Sequence, residues 1–151
     1  EKLVADDKSL GEKARKIAAS TKALSMFLEE KGLKFRSVGT KKVTYHTPCH
    51  LGRGLQTTAE PYLRELLGAA FVPLKDTDVC CGFAGSYSVD FPGISSGILG
   101  KKIEHIQQSG ADVLVTDCPG CIMQIEGGLS KKGLPIQVMH LSEYLLNLPR
   151  N

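Results

Sequence analysis

Five cysteines carry most of the chemistry this chain can offer, and they are unevenly spaced. Cys49 stands alone, Cys80 and Cys81 are adjacent, and Cys118 and Cys121 are separated by Pro119 and Gly120. Thiolates ligate iron–sulfur clusters, hold zinc tetrahedrally or exchange with disulfides, so three chemistries are open. An odd count rules out a disulfide framework that uses every cysteine, and 151 residues are enough to build a core without staples. No secretory signal pattern opens the chain, which favours ligands or redox thiols over structural disulfides.

The elements that must position these thiols alternate between short apolar runs and amphipathic helices. Ser9 to Glu12 has the form of a capping box, and Leu10, Ala14, Ile17, Ala18, Leu24 and Leu28 continue at helical spacing to Gly32. One helix over 9–31 is the expectation. Val43–Tyr45 reads as a strand, Glu60–Leu67 as a helix closed by Gly68, and Phe71–Leu74 as a second strand. A glycine-rich loop from Cys80 to Gly93 leads to a helix over about 95–109, with Ile98, Leu99, Ile103 and Ile106 as its buried stripe. Val113–Thr116 is the clearest strand. Pro119 sits at the helix position that tolerates a missing N–H, and that helix runs to about Ser130. Pro135–Met139 gives a fourth strand and Leu141–Leu148 a last helix.

This order predicts an α/β fold: a four-stranded parallel sheet flanked by helices, Rossmann-like and three-layered, with an additional N-terminal helix. Cys49, the Cys80–Cys81 pair and the Cys118–Cys121 pair then all follow strand ends. In an open parallel sheet those junctions share one edge, where ligands bind. Gly52, Gly54, Gly82, Gly85 and Gly120 beside the cysteines allow backbone to approach a bulky group closely. Cys118 and Cys121 also lie at a helix start, where free N–H groups favour thiolate. His46 and His50 flank Cys49, and His140 follows the last strand. Each can donate a hydrogen bond to cluster sulfur or satisfy a nearby carbonyl. Asp117 is placed to cap the helix that follows it, and His105 to face solvent.

Charge excludes a nucleic-acid surface. Residues 1–42 hold 11 of the 19 Lys and Arg against 6 of the 16 Asp and Glu, but the basic residues alternate with acids in a helical pattern and few aromatics accompany them. No apolar run approaches the roughly 20 residues of a transmembrane helix. A cytoplasmic protein is expected.

The spacing Cys49, 30 residues, Cys80-Cys81-Gly82, 35 residues, Cys118-Pro119-Gly120-Cys121 resembles the cysteine-rich CCG domain of heterodisulfide reductase and of glycolate and lactate oxidase iron–sulfur subunits. The stretches Tyr45 to Gly52, Cys80 to Tyr87 and Thr116 to Gln124 look most like the C-terminal CCG domain of a glycolate oxidase iron–sulfur subunit. The resemblance implies that Cys49, Cys80, Cys81, Cys118 and Cys121 bind a [4Fe-4S] cluster, non-cubane in some relatives, with zinc as the alternative metal. His46, His50, Gly82 and His140 would then form its surroundings. It implies residues 43–151 as the CCG domain and residues 1–42 as a helix and linker to a preceding region. Further CCG or ferredoxin-like domains, or a partner chain, and a flavin-containing oxidoreductase subunit are the implied partners. Electrons would pass to a quinone or disulfide acceptor, with attachment to the inner face of the membrane through those partners. The domain would be part of an oxidoreductase, inactive alone.

Overall fold

The computed structural model describes residues 8–33, 35–36 and 39–149. It divides into two compact units, Glu1–Leu33 and Lys34–Asn151. In the first, α1 (Lys8–Ser20) and α2 (Leu24–Glu30) replace the single expected helix. The break has a local cause. The hydroxyls of Ser20 and Thr21 both donate to the carbonyl of Ile17, at 2.9 and 2.8 Å, beside the Thr21 N–H at 3.0 Å, so side chains join the backbone in closing the last turn of α1. Ala23 then adopts an extended backbone before α2. Ser9 lies inside α1 and is not its cap. Gly32, at φ +61°, ends the run as its composition suggests.

The second unit is built on a parallel sheet of three strands in the order β1 (Val43–Tyr45), β2 (Val113–Thr116), β3 (Gln137–His140). Val43 pairs with Val113, and Val113 with Gln137. The expected strand over 71–74 is reduced to a single parallel bridge, Phe71 with Val43, supported by Val72 N–H to the Val43 carbonyl at 2.8 Å. Pro73 follows at once. It has no N–H to give, so pairing stops there, at the sheet's edge. β3 starts two residues later than expected, at Gln137, and the last helix, α7, spans Leu141–Leu146.

The helices are α3 (Glu60–Leu67), a single turn α4 (Tyr87–Asp90), α5 (Pro92–Ser109) and α6 (Pro119–Lys131), with α7 last. Both sheet faces are covered. Leu114 packs with Ile103 and Ile106 of α5 and with Ile125 and Leu129 of α6. Val113 and Val115 point the other way by strand alternation, and α3 and α7 contact β1 and β2. All four residues of β2 are buried, as the near-continuous apolar run requires. Gly110 closes α5 at φ +67°.

Strand placement fixes where a ligand can sit. β1 has the 71–72 segment on one side and β2 on the other, so the chain leaves β1 in one direction and returns to β2 past it. The crevice outside the carboxyl ends of β1 and β2 is therefore the topological switch point.

Candidate metal centre

β1 runs out at Tyr45, and His46 extends its ladder by one bond, N–H to the Val115 carbonyl at 3.0 Å. The imidazole is fully buried, at 0% exposure. Its Nδ1 lies 2.9 Å from the Thr77 carbonyl oxygen. A carbonyl only accepts, so Nδ1 carries the proton and the neutral ring presents the Nε2 lone pair on its other side. Nε2 is buried without a hydrogen-bond partner. That is the form in which histidine ligates a metal.

Two thiols meet this ring. Cys81 and Cys121 are 1% and 5% exposed, and their sulfurs are 3.3 Å apart. A ring nitrogen of His46 and the two sulfurs all lie within 4.8 Å of one another. The sulfurs share a proton, and electrostatics place it on Cys121. The thiol of Cys81 is pulled down to about 4, first by Cys121 and then by His46 and the Phe83 N–H, against the cost of burial. Cys121 is pushed up by the same contact and by burial. The pull of His46 on the Cys81 thiol acts when Nε2 also carries a proton; the neutral ring offers that sulfur only a lone pair.

The other cysteines flank this trio. Cys80 is half-buried; its sulfur accepts the Gly82 N–H at 3.3 Å, and burial raises its thiol while Cys81 and Cys49 add to the rise. Cys49 is exposed and precedes a π-helical turn, His50–Leu55, whose Arg53 favours the Cys80 thiolate. Cys118 is half-buried, sits at the N-cap of α6 and adds to the rise of the Cys121 thiol. Among the described residues, the buried trio is the set of potential ligands gathered within 4.8 Å.

Glycine at two positions makes the trio possible. Gly82, at φ +90°, lets the Cys80–Cys81 turn press against α5, and Ser95 Oγ donates to its carbonyl at 2.8 Å. Gln124 Nε2 in turn donates to Ser95 Oγ at 2.9 Å, tying α6 to the same turn. Gly120 leaves room for the Phe83 ring.

Three expectations for neighbouring residues change. Asp117 does not cap α6: it accepts the Tyr45 hydroxyl at 2.5 Å. Burial raises the Asp117 carboxyl, while Tyr45, His140 and His50 pull it down. His105 is half-buried and approaches the Asp76 carboxylate at 3.6 Å, so it is not simply exposed. His140 caps α7, its Nδ1 meeting Ser142 Oγ at 2.8 Å and Ser142 N at 3.2 Å; that explains its side chain without a bound group. His50 is exposed beside Cys49. The Tyr45–Asp117 pair was not legible in the sequence, because 71 residues separate its members and only the β1–β2 register unites them. Tyr45→Phe strips the half-buried carboxylate of its donor and is expected to cost about 1–3 kcal/mol in urea unfolding of the metal-free protein. An unchanged midpoint would show that the pair contributes nothing to stability.

The comparisons with known proteins meet this geometry. A family model described as a cysteine-rich domain, CCG, matches residues 43–126, more than half of the chain. The chain belongs to the cysteine-rich CCG family. Its relatives include lactate utilization protein A of Halalkalibacterium halodurans, 41% identical over 96% of this chain and 61% of that protein. The lactate utilization protein A of Shouchella clausii is 39% identical over 95% of this chain and 62% of its own length. That of a Geobacillus strain is 41% identical over 92% and 60%. The chain thus spans about three-fifths of the curated relatives it matches. Among the described residues, no helix is long and apolar enough to cross a membrane.

The donor set of this CCG domain fits a soft metal or an iron–sulfur group. Thiolate and imidazole suit both, the orphaned Nε2 has no protein partner to satisfy it, and the glycine-lined turns leave backbone N–H groups facing sulfur.

Proposed function

We propose that this chain is the iron–sulfur-binding redox domain of a 2-hydroxy-acid oxidoreductase. It would relay electrons between a flavin-containing subunit and a quinone or disulfide acceptor. Cys49, Cys80, Cys81, Cys118 and Cys121 would hold a [4Fe-4S] group, non-cubane or otherwise, over residues 43–151, with residues 1–42 as the link to a preceding CCG or ferredoxin-like region. The observation that carries this reading is the burial of Cys81 and Cys121 at the switch-point crevice, beside an imidazole with an unused lone pair. The name shared by the relatives supports a lactate-type substrate for the assembly. A cytoplasmic location, with attachment to the membrane through partners, belongs to the same reading.

When bound, the group supplies a reversible one-electron store. The chain's own residues do the rest. Phe83 and Gly82 direct backbone N–H groups at the Cys81 and Cys80 sulfurs; at Cys81 this helps hold the thiol charged and ready to ligate, and at Cys80 it opposes the rise that burial causes. Thr77 fixes the tautomer and orientation of His46. Burial of Cys81, Cys121 and His46 excludes water from one side of the site, whereas exposed Cys49 leaves the other open to an electron partner.

Zinc is the second reading, and a specific feature favours it. His46, Cys81, Cys121 and neighbouring Cys118 make a three-sulfur, one-nitrogen set, a common tetrahedral zinc pattern. Anaerobic purification followed by metal, acid-labile sulfide and EPR analysis separates the two. The proposal expects about four iron and four sulfide per chain. Stoichiometric zinc with no iron uptake on reconstitution would overturn it.

A further inference from the structure

Lys102 is 1% exposed, on the stripe of α5 that otherwise carries Ile103 and Ile106. Its Nζ donates to the carbonyl of Asp76 at 2.5 Å. The same carbonyl accepts the Val79 N–H at 3.1 Å, closing the turn that delivers Cys80 and Cys81. One residue on, the Thr77 carbonyl takes the His46 ring proton and the Thr47 N–H. Asp76 itself sits at φ +52°, and its carboxylate faces His105 on the next turn of α5. The helix therefore presents a cation to the short segment that orients both the cysteine pair and the histidine.

This cation is costly to keep. Burial pushes the Lys102 ammonium down from its ordinary range, opposed by the charges of Asp76, Asp78, Cys81 and Cys80. A depressed lysine weakens the fold at neutral pH: the unfolded chain holds the proton more tightly, and the penalty eases only as the pH rises through the folded value. Among the described residues no carboxylate bonds to the ammonium directly, so stability alone gives no reason for its place.

We propose that Lys102 is the internal counter-charge of the sulfur site, a positioning residue whose ammonium stabilises the more negative, reduced state of the thiolate-bound group and so raises its reduction potential. This rests on the iron–sulfur reading above. The sign follows from Coulomb attraction through a low-dielectric core, where screening is weak.

The test is a spectroelectrochemical titration of the anaerobically reconstituted full chain alongside Lys102→Met and Asp76→Asn. Methionine fills the space of the lysine stem, and Val79 still serves the Asp76 carbonyl, so K102M is expected to fold, with metal-free stability no lower than wild type. Its potential should fall by the equivalent of roughly a tenfold loss in preference for the reduced state, about 59 mV for one electron. D76N removes an opposing negative charge at a backbone position that asparagine tolerates, and should move the potential upward by less, because that carboxylate is half-exposed. Opposite signs mark an electrostatic role. Equal potentials in iron-loaded wild type and K102M, equal potentials in wild type and D76N, or shifts of the same sign in both variants, overturn the inference, and the D76N arm stands even if K102M does not fold. A wild-type chain that takes up no iron brings down the iron–sulfur reading itself, which an unchanged potential does not.

Discussion

Cys81→Ser is expected to leave a folded protein that no longer retains iron and sulfide. Serine matches the thiol in shape, so the core around Ile103, Leu114 and Ile125 loses little packing. Its hydroxyl stays protonated where the thiol is held near 4 by Cys121, His46 and the Phe83 N–H, and oxygen is a harder, poorer donor to iron. Losing an outer partner of a metal ligand typically costs roughly 10–100-fold in affinity, and losing the buried ligand itself should cost more. Cys49→Ser removes an exposed sulfur and is expected to weaken retention less. Iron and sulfide per chain after gel filtration of reconstituted protein measure both variants. If C81S kept wild-type iron, the buried trio would not be the anchor of the site.

The parts of this architecture that were legible in the sequence share a local cause. β2, α3, the Pro119 start of α6 and the Gly110 stop of α5 each rest on a short apolar run, a proline or a glycine that acts where it stands. The meeting of Cys81 and Cys121 was legible for a different reason: the sequence placed both beyond the carboxyl ends of parallel-paired segments, which lie on the same side of the sheet. The misreadings were decided by contacts made across the chain or by one missing donor. Pro73 has no N–H, and the expected second strand shrinks to the Phe71 bridge. Ser20 and Thr21 close α1 on the Ile17 carbonyl, and Ala23 turns extended before α2. Asp117 looked like a helix cap because the sequence neighbour is a helix, yet Tyr45 reaches it through the sheet. Lys102 did leave a trace, a charge lodged in the apolar stripe of Ile98, Leu99, Ile103 and Ile106, but such a lysine usually reaches round to solvent. Only its burial distinguishes it.

Gly82→Ala should produce the largest loss of stability of any single-methyl change near the site. Two separate costs meet there. The backbone is at φ +90°, which side-chain-bearing residues rarely adopt, and an added Cβ would lie 2.6 Å from the Ser95 carbonyl oxygen and 3.4 Å from Ile98 Cβ. The nearest obstacle is helix backbone, so it cannot swing aside. Overpacking costs roughly 1–3 kcal/mol and the strained φ about 1 more, so about 2–4 kcal/mol is expected by urea unfolding of the metal-free chain. Gly85→Ala separates the two contributions: φ is +62°, but nothing lies within 4 Å of the new carbon, so about 1 kcal/mol should remain. Gly120→Ala gives the reverse case. Its Cβ would lie 2.6 Å from two atoms of the Phe83 ring, a half-buried side chain that can turn away. Little stability should be lost, but Phe83 also supplies the N–H that faces Cys81, so iron retention should fall. Equal stability losses at 82 and 85 would mean that the Cys80–Cys81 turn does not depend on close contact with α5. In that event the tie through Ser95 and Gln124 would have to hold the turn by hydrogen bonds alone.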